Sequence, residues 1–314
     1  MDEGLYREAD GVRTLGYFSD DAIRSAMSYK PRQGDTVLVT YPKCGTNWTL
    51  FIIWNILTRG RQPSDVGEFA VMCPFIELIG ADAAENTDRR GPIVTHLPLS
   101  AFRPVDWAKY IYVARNPYDC AVSCYHFLKG VTPKTCTDVS FDKFLALFLS
   151  GKVPYGDYFD HLLPWYERRD DSNVLFLTYE QLKADTRRMA LKIARFLGAE
   201  HCTVLQNDSD LLQRVLDNSS LETMAAFLKD NVGDRVKKMI KAASQTSSET
   251  VEELKNSYGE NVVMHESSGF VRKGIVGDWK SHFTTEHIRQ TTKWITEKTR
   301  GSCVMSLWSD LDLP

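Results

Sequence analysis

Residues 36–48 read TVLVTYPKCGTNW. The opening run of β-branched and aliphatic residues, without polar alternation, predicts a short strand covered on both faces. Pro42, Lys43, Cys44 and Gly45 then break the run, and a helical pattern starts at Thr46 and continues to Leu57. A strand, a turn of small residues carrying one cation, and a helix N-terminus together suit an oxyanion. Small side chains let backbone amides come close, the helix dipole adds positive potential, and Lys43 supplies a mobile charge. An ordinary strand-to-helix turn fits the segment as well, so taken alone it leaves both readings open. It is not a Walker A loop, in which lysine follows the last glycine and precedes a magnesium-binding hydroxyl; here Lys43 comes before Gly45.

Outward from this segment, short apolar runs alternate with longer helical patterns, the mark of an α/β chain with a parallel sheet. Strands are predicted at Thr36–Tyr41, Ile93–His96, Tyr110–Ala114 and Val174–Tyr179. Helices are predicted at Thr46–Leu57, Pro117–Leu128, Phe141–Leu149, Tyr155–Arg168 and Tyr179–Leu197. Pro117 sits where a first helical turn tolerates proline. The stretch Gln62–Arg90, punctuated by Pro63, Gly67, Pro74 and Gly80, reads either as a lid over a pocket or as a surface connection. After residue 200 the helices become shorter and more polar, and the Ser/Thr-rich stretch Ala243–Thr250 reads as a loop.

Length and composition set limits on function. With 314 residues, 43% hydrophobic and 25% charged, the chain suits one large domain spanning residues 1–314. A net charge of −3 makes a general nucleic-acid surface improbable, so any anion site is local. No window reaches the roughly 18 apolar residues of a membrane helix, and the N-terminus lacks the apolar centre of a secretory signal. The expected protein is cytoplasmic, with no nucleic-acid or membrane partner. Its seven cysteines form no CxxC pair, which fits a reducing compartment and predicts neither a disulfide framework nor a metal site.

Beyond these patterns, TYPKCGTNW resembles the TYPKSGTTW loop of the cytosolic sulfotransferases, which use 3′-phosphoadenosine-5′-phosphosulfate (PAPS). Residues 114–127, ARNPYDCAVSCYHF, resemble that family's 3′-phosphate segment, and residues 272–280, RKGIVGDWK, resemble its C-terminal RKGxxGDWK signature. THLP at residues 95–98 falls between the first two, and the resemblance spans roughly Tyr41 to Leu307. It implies a three-layer α/β domain related to nucleotide kinases, with a central parallel sheet and a phosphate-binding strand-loop-helix. The implied reaction moves a sulfuryl group from PAPS to a small hydroxylated or amine acceptor, leaves adenosine 3′,5′-bisphosphate, and requires no metal.

The resemblance also implies residue roles. His96, at the end of a predicted strand, is the general base, an assignment its near-neutral pKa suits; as an isolated histidine it would read rather as a core residue, and the resemblance of THLP is what reverses that reading. Lys43 neutralises charge on the bridging oxygen as it departs. Cys44, Gly45, Thr46 and Asn47 complete the 5′-phosphate loop. Arg115, Ser123, Arg272, Lys273 and Gly274 form the 3′-phosphate site, where a guanidinium grips two oxygens at once. Trp48, Tyr179, Ser219, Ser220 and Leu221 surround the adenine. Tyr17, Phe18, residues 72–78, His126, Phe127 and the stretch leading to Phe270 border the acceptor, whose pocket suits a flat phenol or aryl monoamine.

Three departures stand out. Val94 replaces a lysine that many members place two residues before the histidine, which predicts slower turnover. Cys44 replaces the loop serine, where it reads either as a small inert residue, the reading favoured by the residue alone, or as a thiol that amide dipoles and Lys43 open to oxidation, which would block donor binding. The dimer motif KxxxTVxxxE, starting at Lys280, keeps Thr284 but has Thr285 and Arg289 for its valine and glutamate, so a monomer or weak homodimer is expected. Two rival functions remain at this stage. A related kinase would need ATP and magnesium; a non-catalytic PAPS-binding scaffold would bind the bisphosphate without transferring sulfate.

Overall fold

The structure, a computed structural model, describes residues 6–132, 138–229, 238–239, 241–242 and 271–314. Cys136, the Ala243–Thr250 stretch and Phe270 lie outside the described residues. An N-terminal hairpin pairs β1 (Tyr6–Ala9) with β2 (Val12–Leu15) through Asp10 and Gly11, whose φ angles of 48° and 82° are those of a primed hairpin turn. Helix α1 (Asp20–Ser28) follows, capped by Ser19, whose hydroxyl accepts from the Ala22 amide at 3.0 Å.

The main sheet is parallel, with strands β3 (Thr36–Thr40), β4 (Ile93–Thr95), β5 (Lys109–Ala114) and β6 (Val174–Thr178) in the order β4-β3-β5-β6. β3 therefore lies between strands reached in opposite directions, and its C-terminal end opens at the crevice where α/β sheets bind ligands. Side chains alternate across the sheet. Val37, Val39, Tyr110 and Tyr112 face one apolar core; Leu38, Ile111, Val113 and Leu177 face the other. The first core is covered by α1, α4 (Ile76–Ile79), α5 (Pro117–Gly130), α6 (Phe141–Leu149), α7 (Tyr158–Glu167) and α13 (Thr285–Lys298). The second is covered by α2 (Thr46–Leu57), α9 (Thr186–Leu197), α10 (Ala199–Asn207), α11 (Ser209–Asn218) and α12 (Leu221–Phe227). Helix, sheet and helix make three layers, as expected from the continuous apolar strands.

Strand and helix bounds match the sequence patterns closely, with two exceptions. The expected helix Tyr179–Leu197 is two helices, α8 (Tyr179–Ala184) and α9, because Asp185 turns out of helical geometry and its carboxylate caps the Arg188 amide at 2.8 Å. The expected helix Tyr155–Arg168 starts only at Tyr158. Tyr155 and Gly156 have φ of 65° and 76°, and Asp157 is the cap. Residues 62–90 form neither a detached lid nor a plain surface connection. They fold into α3 (Val66–Met72), α4 and a 3-10 turn (Ala81–Glu85), and bury Phe69, Ile76, Leu78 and Ile79.

Candidate active site

A cavity of about 500 Å³ opens at the C-terminal end of β3. The loop after β3 forms its floor. Lys43 and Gly45 take left-handed φ angles of 70° and 105°, and the Cys44 amide donates to the Tyr41 carbonyl at 3.2 Å, closing the turn. Gly45 is required twice over: its φ disfavours side chains, and a Cβ there would lie 3.0 Å from the Tyr179 ring. No side chain caps α2 at Gly45, and Thr46, Asn47 and Trp48 line the cavity at that helix end. The amides of a first helical turn have no partner within their helix, so this end is an anion-binding pole.

Above the loop sits a cationic wall built by α5 and the Val271–Lys280 segment. Arg115 is buried, donates to the Lys43 carbonyl at 3.3 Å and the Ile275 carbonyl at 3.2 Å, and stacks over the Tyr179 ring at 4.2 Å. Asp119, in the first turn of α5, fixes the opposing segment by accepting from the Gly277 amide at 2.7 Å and the Trp279 amide at 3.0 Å. Arg272 and Lys273 reach the cavity, yet both pair with buried Asp278, at 2.5 and 2.7 Å. Burial alone would raise that carboxyl, but hydrogen bonds from Lys273 and Arg272 hold it below the usual carboxylate range. Gly274, at φ 61°, lets Leu221 approach; a Cβ would lie 2.7 Å from Leu221 Cδ1.

All the predicted catalytic and donor-binding residues except Cys44 line this one cavity, and of the predicted acceptor border Tyr17, Phe18, Cys73, Phe75, Leu78, His126 and Phe127 line it as well, whereas Met72, Pro74, Ile76 and Glu77 do not. Two of the predicted donor-binding residues line it with their hydroxyls already engaged: Ser219 donates to the Val215 carbonyl at 2.7 Å, and Ser220 caps α12 by accepting from the Thr223 amide at 3.1 Å. Cys44 departs from expectation. Its side chain turns into the core, 3.7 Å from Cys120 Sγ, because the left-handed residues on either side rotate it away from the loop's concave face. Oxidation of a cavity-facing Cys44 thiol is therefore not what the fold presents. Beside the loop Trp48 and Tyr179 meet at 5.4 Å, and the Trp48 indole nitrogen and Arg115 Nε are buried with no hydrogen-bond partner among the described residues. Such donors suit a polar heterocycle and an anion.

The opposite end is apolar and aromatic. Phe18 packs on Phe75 at 5.9 Å, Phe75 on His96 at 4.9 Å, and His96 on Tyr155 at 5.3 Å. Lys43 Nζ lies 4.6 Å over the Phe127 ring, on the boundary between the two ends. Val94 lines the wall, largely buried.

His96 stands on that boundary too, held at three points. Its Nδ1 donates to the Thr40 carbonyl at 2.7 Å, which leaves Nε2 as the unprotonated nitrogen. Its amide donates to buried Glu77 Oε1 at 2.6 Å, and its carbonyl accepts from His161 Nε2 at 3.0 Å, with His161 Nδ1 accepting from the Tyr112 hydroxyl at 2.8 Å. Burial lowers its pKa to about 4, and nearby Lys43 pushes the same way against the Thr40 hydrogen bond. The Thr40 hydroxyl joins the two ends of the site, 2.6 Å from Thr46 Oγ1 and 3.1 Å from His96 Nδ1. Thr40 opens the TYPKCGTNW segment, which gave it no role of its own, and Glu77 and His161 carry no motif; a polar residue flanking an apolar strand or helix was the only signal for those two.

The model of the family described as Sulfotransferase domain matches residues 33–303. The chain belongs to the sulfotransferase family. This sulfotransferase is 32% identical to mouse Sulfotransferase 1B1 over 287 residues, covering 87% of this chain and 85% of that protein. It is 31% identical to human Sulfotransferase 2A1 over 309 residues, covering 95% of each. Among solved structures, mouse sulfotransferase SULT7A1 complexed with PAP superimposes with a TM-score of 0.70 at 28% identity, over 98% of both chains. Retinol dehydratase in complex with retinol and PAP gives a TM-score of 0.62 at 23% identity, a likeness of fold. Sulfuryl transfer to a small acceptor is thus this sulfotransferase's reaction. No helix among its described residues is long and apolar enough to cross a membrane.

Proposed function

We propose that this sulfotransferase moves the sulfuryl group of PAPS to the hydroxyl or amine of a small, flat aromatic acceptor, with His96 as general base. The observation that carries the reading is the position of His96 and Lys43 on the boundary between a cationic end and an aromatic end of one cavity. Donor and acceptor thus have chemically distinct compartments that meet at a base and a cation.

The cationic end fits PAPS on its own residues. Arg115, Ser123, Arg272, Lys273 and Gly274 would hold the 3′-phosphate; Gly45, Thr46 and Asn47, with the dipole of α2, the 5′-phosphate; and Trp48, Tyr179 and the Ser219–Leu221 edge the base. PAPS supplies an activated sulfuryl group on a phosphosulfate anhydride. His96 Nε2 takes the acceptor's proton as the acceptor oxygen bonds to sulfur. Lys43 neutralises the charge left on the bridging oxygen as the sulfur–oxygen bond breaks and adenosine 3′,5′-bisphosphate departs, a stabilisation that grows toward the transition state. Burial keeps His96 neutral and therefore able to accept a proton near pH 7. Apolar Val94 leaves Lys43 and the loop amides to bear the sulfonate charge.

We assign residues 1–314 to one domain working in the cytoplasm as a monomer or weak homodimer. In the altered dimer segment, Arg289 pairs with Glu286 of its own helix at 2.6 Å and Thr284 caps that helix, which supports a self-contained surface. The reading is tested by thermal shift with adenosine 3′,5′-bisphosphate against ATP, followed by labelled-sulfate transfer to a phenol panel. Stabilisation by the bisphosphate over ATP and transfer to a phenol are expected. Tight bisphosphate binding with no transfer to any acceptor would overturn it.

A further inference from the structure

Tyr155 combines three properties that packing alone does not explain. Its backbone is left-handed at φ 65°, a conformation that costs a non-glycine residue of order 1 kcal/mol and persists where surrounding structure enforces it. The enforcing contact is a hydrogen bond from its amide to the Arg13 carbonyl at 2.7 Å, which ties it to β2. Its side chain is 7% exposed and lines the cavity with its ring edge-on to His96, 5.3 Å away at 72°. Its hydroxyl is buried and has no hydrogen-bond partner among the described residues. A buried hydroxyl without a partner is costly, and phenylalanine would fill the same space without that cost. Burial, with the Glu77 carboxyl and Tyr17 near it, pushes the phenol well above its usual pKa, so it stays an O–H donor.

We infer that Tyr155 is a third catalytic residue, beside His96 and Lys43, whose hydroxyl donates a hydrogen bond to the reacting oxygen of the acceptor. The inference rests on the reading of the cavity given above. An acceptor oxygen beside His96 gives its proton to Nε2, directs one lone pair at sulfur, and has a second lone pair left for Tyr155. As the proton leaves, that oxygen gains negative charge, so the bond strengthens toward the transition state. Val94 offers no such donor. Tyr155 would therefore select acceptors that present an oxygen or nitrogen to His96 over apolar molecules of the same shape.

The test is Tyr155→Phe, measured with 2-naphthol as acceptor and 2-methylnaphthalene, which has the same outline without the hydroxyl, as competitive inhibitor. The expected result is an unchanged or raised Tm, unchanged affinity for adenosine 3′,5′-bisphosphate, unchanged inhibition by 2-methylnaphthalene, and kcat/KM for 2-naphthol lowered about tenfold, the size of one hydrogen bond to a developing charge. Equal kcat/KM in the two enzymes would overturn the inference while leaving the sulfotransferase reading intact. Equal weakening of 2-naphthol and 2-methylnaphthalene would also overturn it, because the ring's packing would then be what matters. Absence of transfer by the unsubstituted enzyme to any phenol would instead overturn the reading on which the inference rests.

Discussion

His96 donates its Nδ1 proton to the main-chain carbonyl of Thr40 at 2.7 Å. Thr40 ends β3, so the strand that leads into the proposed phosphate loop also fixes the tautomer of the proposed base. One hydrogen bond thereby commits Nε2 to proton acceptance and sets the imidazole in register with Lys43, three residues further along the chain.

This arrangement sets a pH dependence. His96 and fully buried His161 are lowered to about 4 and about 3, both chiefly by burial. Because each binds protons more readily when unfolded, the folded state is favoured above the ordinary histidine pKa, and that advantage is lost as pH falls through it toward the folded values. Transfer assayed from pH 5 to 8 should therefore lack a histidine limb near pH 6.5, while Tm should decline below that point. A rate that halves near pH 6.5 would count against a buried, neutral base.

Glu77 acts with the opposite sign. Burial raises its carboxyl to about 8 despite the hydrogen bond from the His96 amide, so the folded protein holds a proton that the unfolded chain releases above the usual carboxylate pKa. Its contribution to stability is present at low pH and is lost as pH rises from about 4.5 toward 8. Glu77→Gln keeps an acceptor for the His96 amide and removes this contribution, so the Tm of the variant relative to the unsubstituted protein should rise with pH across that window. Melting curves of the two proteins at matched pH check this.

Replacing Lys43 by Met removes the cation proposed to act at the departing oxygen. The expected loss in kcat is about 10²- to 10³-fold, the range for removing one group that stabilises transition-state charge. It should also raise the pKa of His96, since Lys43 contributes to lowering it. Pre-steady-state transfer from PAPS, followed at several pH values, reports both effects.

Val94 is 4% exposed yet borders the cavity, so a longer side chain there can send its charged end inward. Val94→Lys should speed transfer by about tenfold, as one added charge-assisted hydrogen bond would. It should also lower Tm, since an apolar contact with the core is lost. Turnover and melting measured on the same preparation separate the two, and unchanged turnover would mean that the missing cation does not limit this enzyme.

Much of this was legible in the sequence because long-range order here follows local pattern. Thr46–Leu57 and Phe141–Leu149 have the predicted bounds, and the strands lie within a residue or two of their apolar runs. The motifs also named residues that gather in one cavity although they lie more than 200 positions apart. What escaped was set by single backbone conformations. The break at Asp185, the late start of α7 after Tyr155 and Gly156, and the inward turn of Cys44 each depend on one or two φ angles that composition does not encode. The Asp10–Gly11 hairpin carried a readable turn signal. Glu77 and Tyr155 carried none, because a lone polar group in an apolar stretch gains meaning only when its neighbours in space are known.

The most direct test of the account is transfer of labelled sulfate from PAPS to 2-naphthol by His96→Asn. Asparagine can keep a donor on the Thr40 carbonyl while removing the nitrogen assigned to the proton. The account predicts kcat lowered by at least about 100-fold, the scale of lost general-base catalysis, with affinity for adenosine 3′,5′-bisphosphate unchanged. Turnover by His96→Asn equal to that of the unsubstituted enzyme would contradict it.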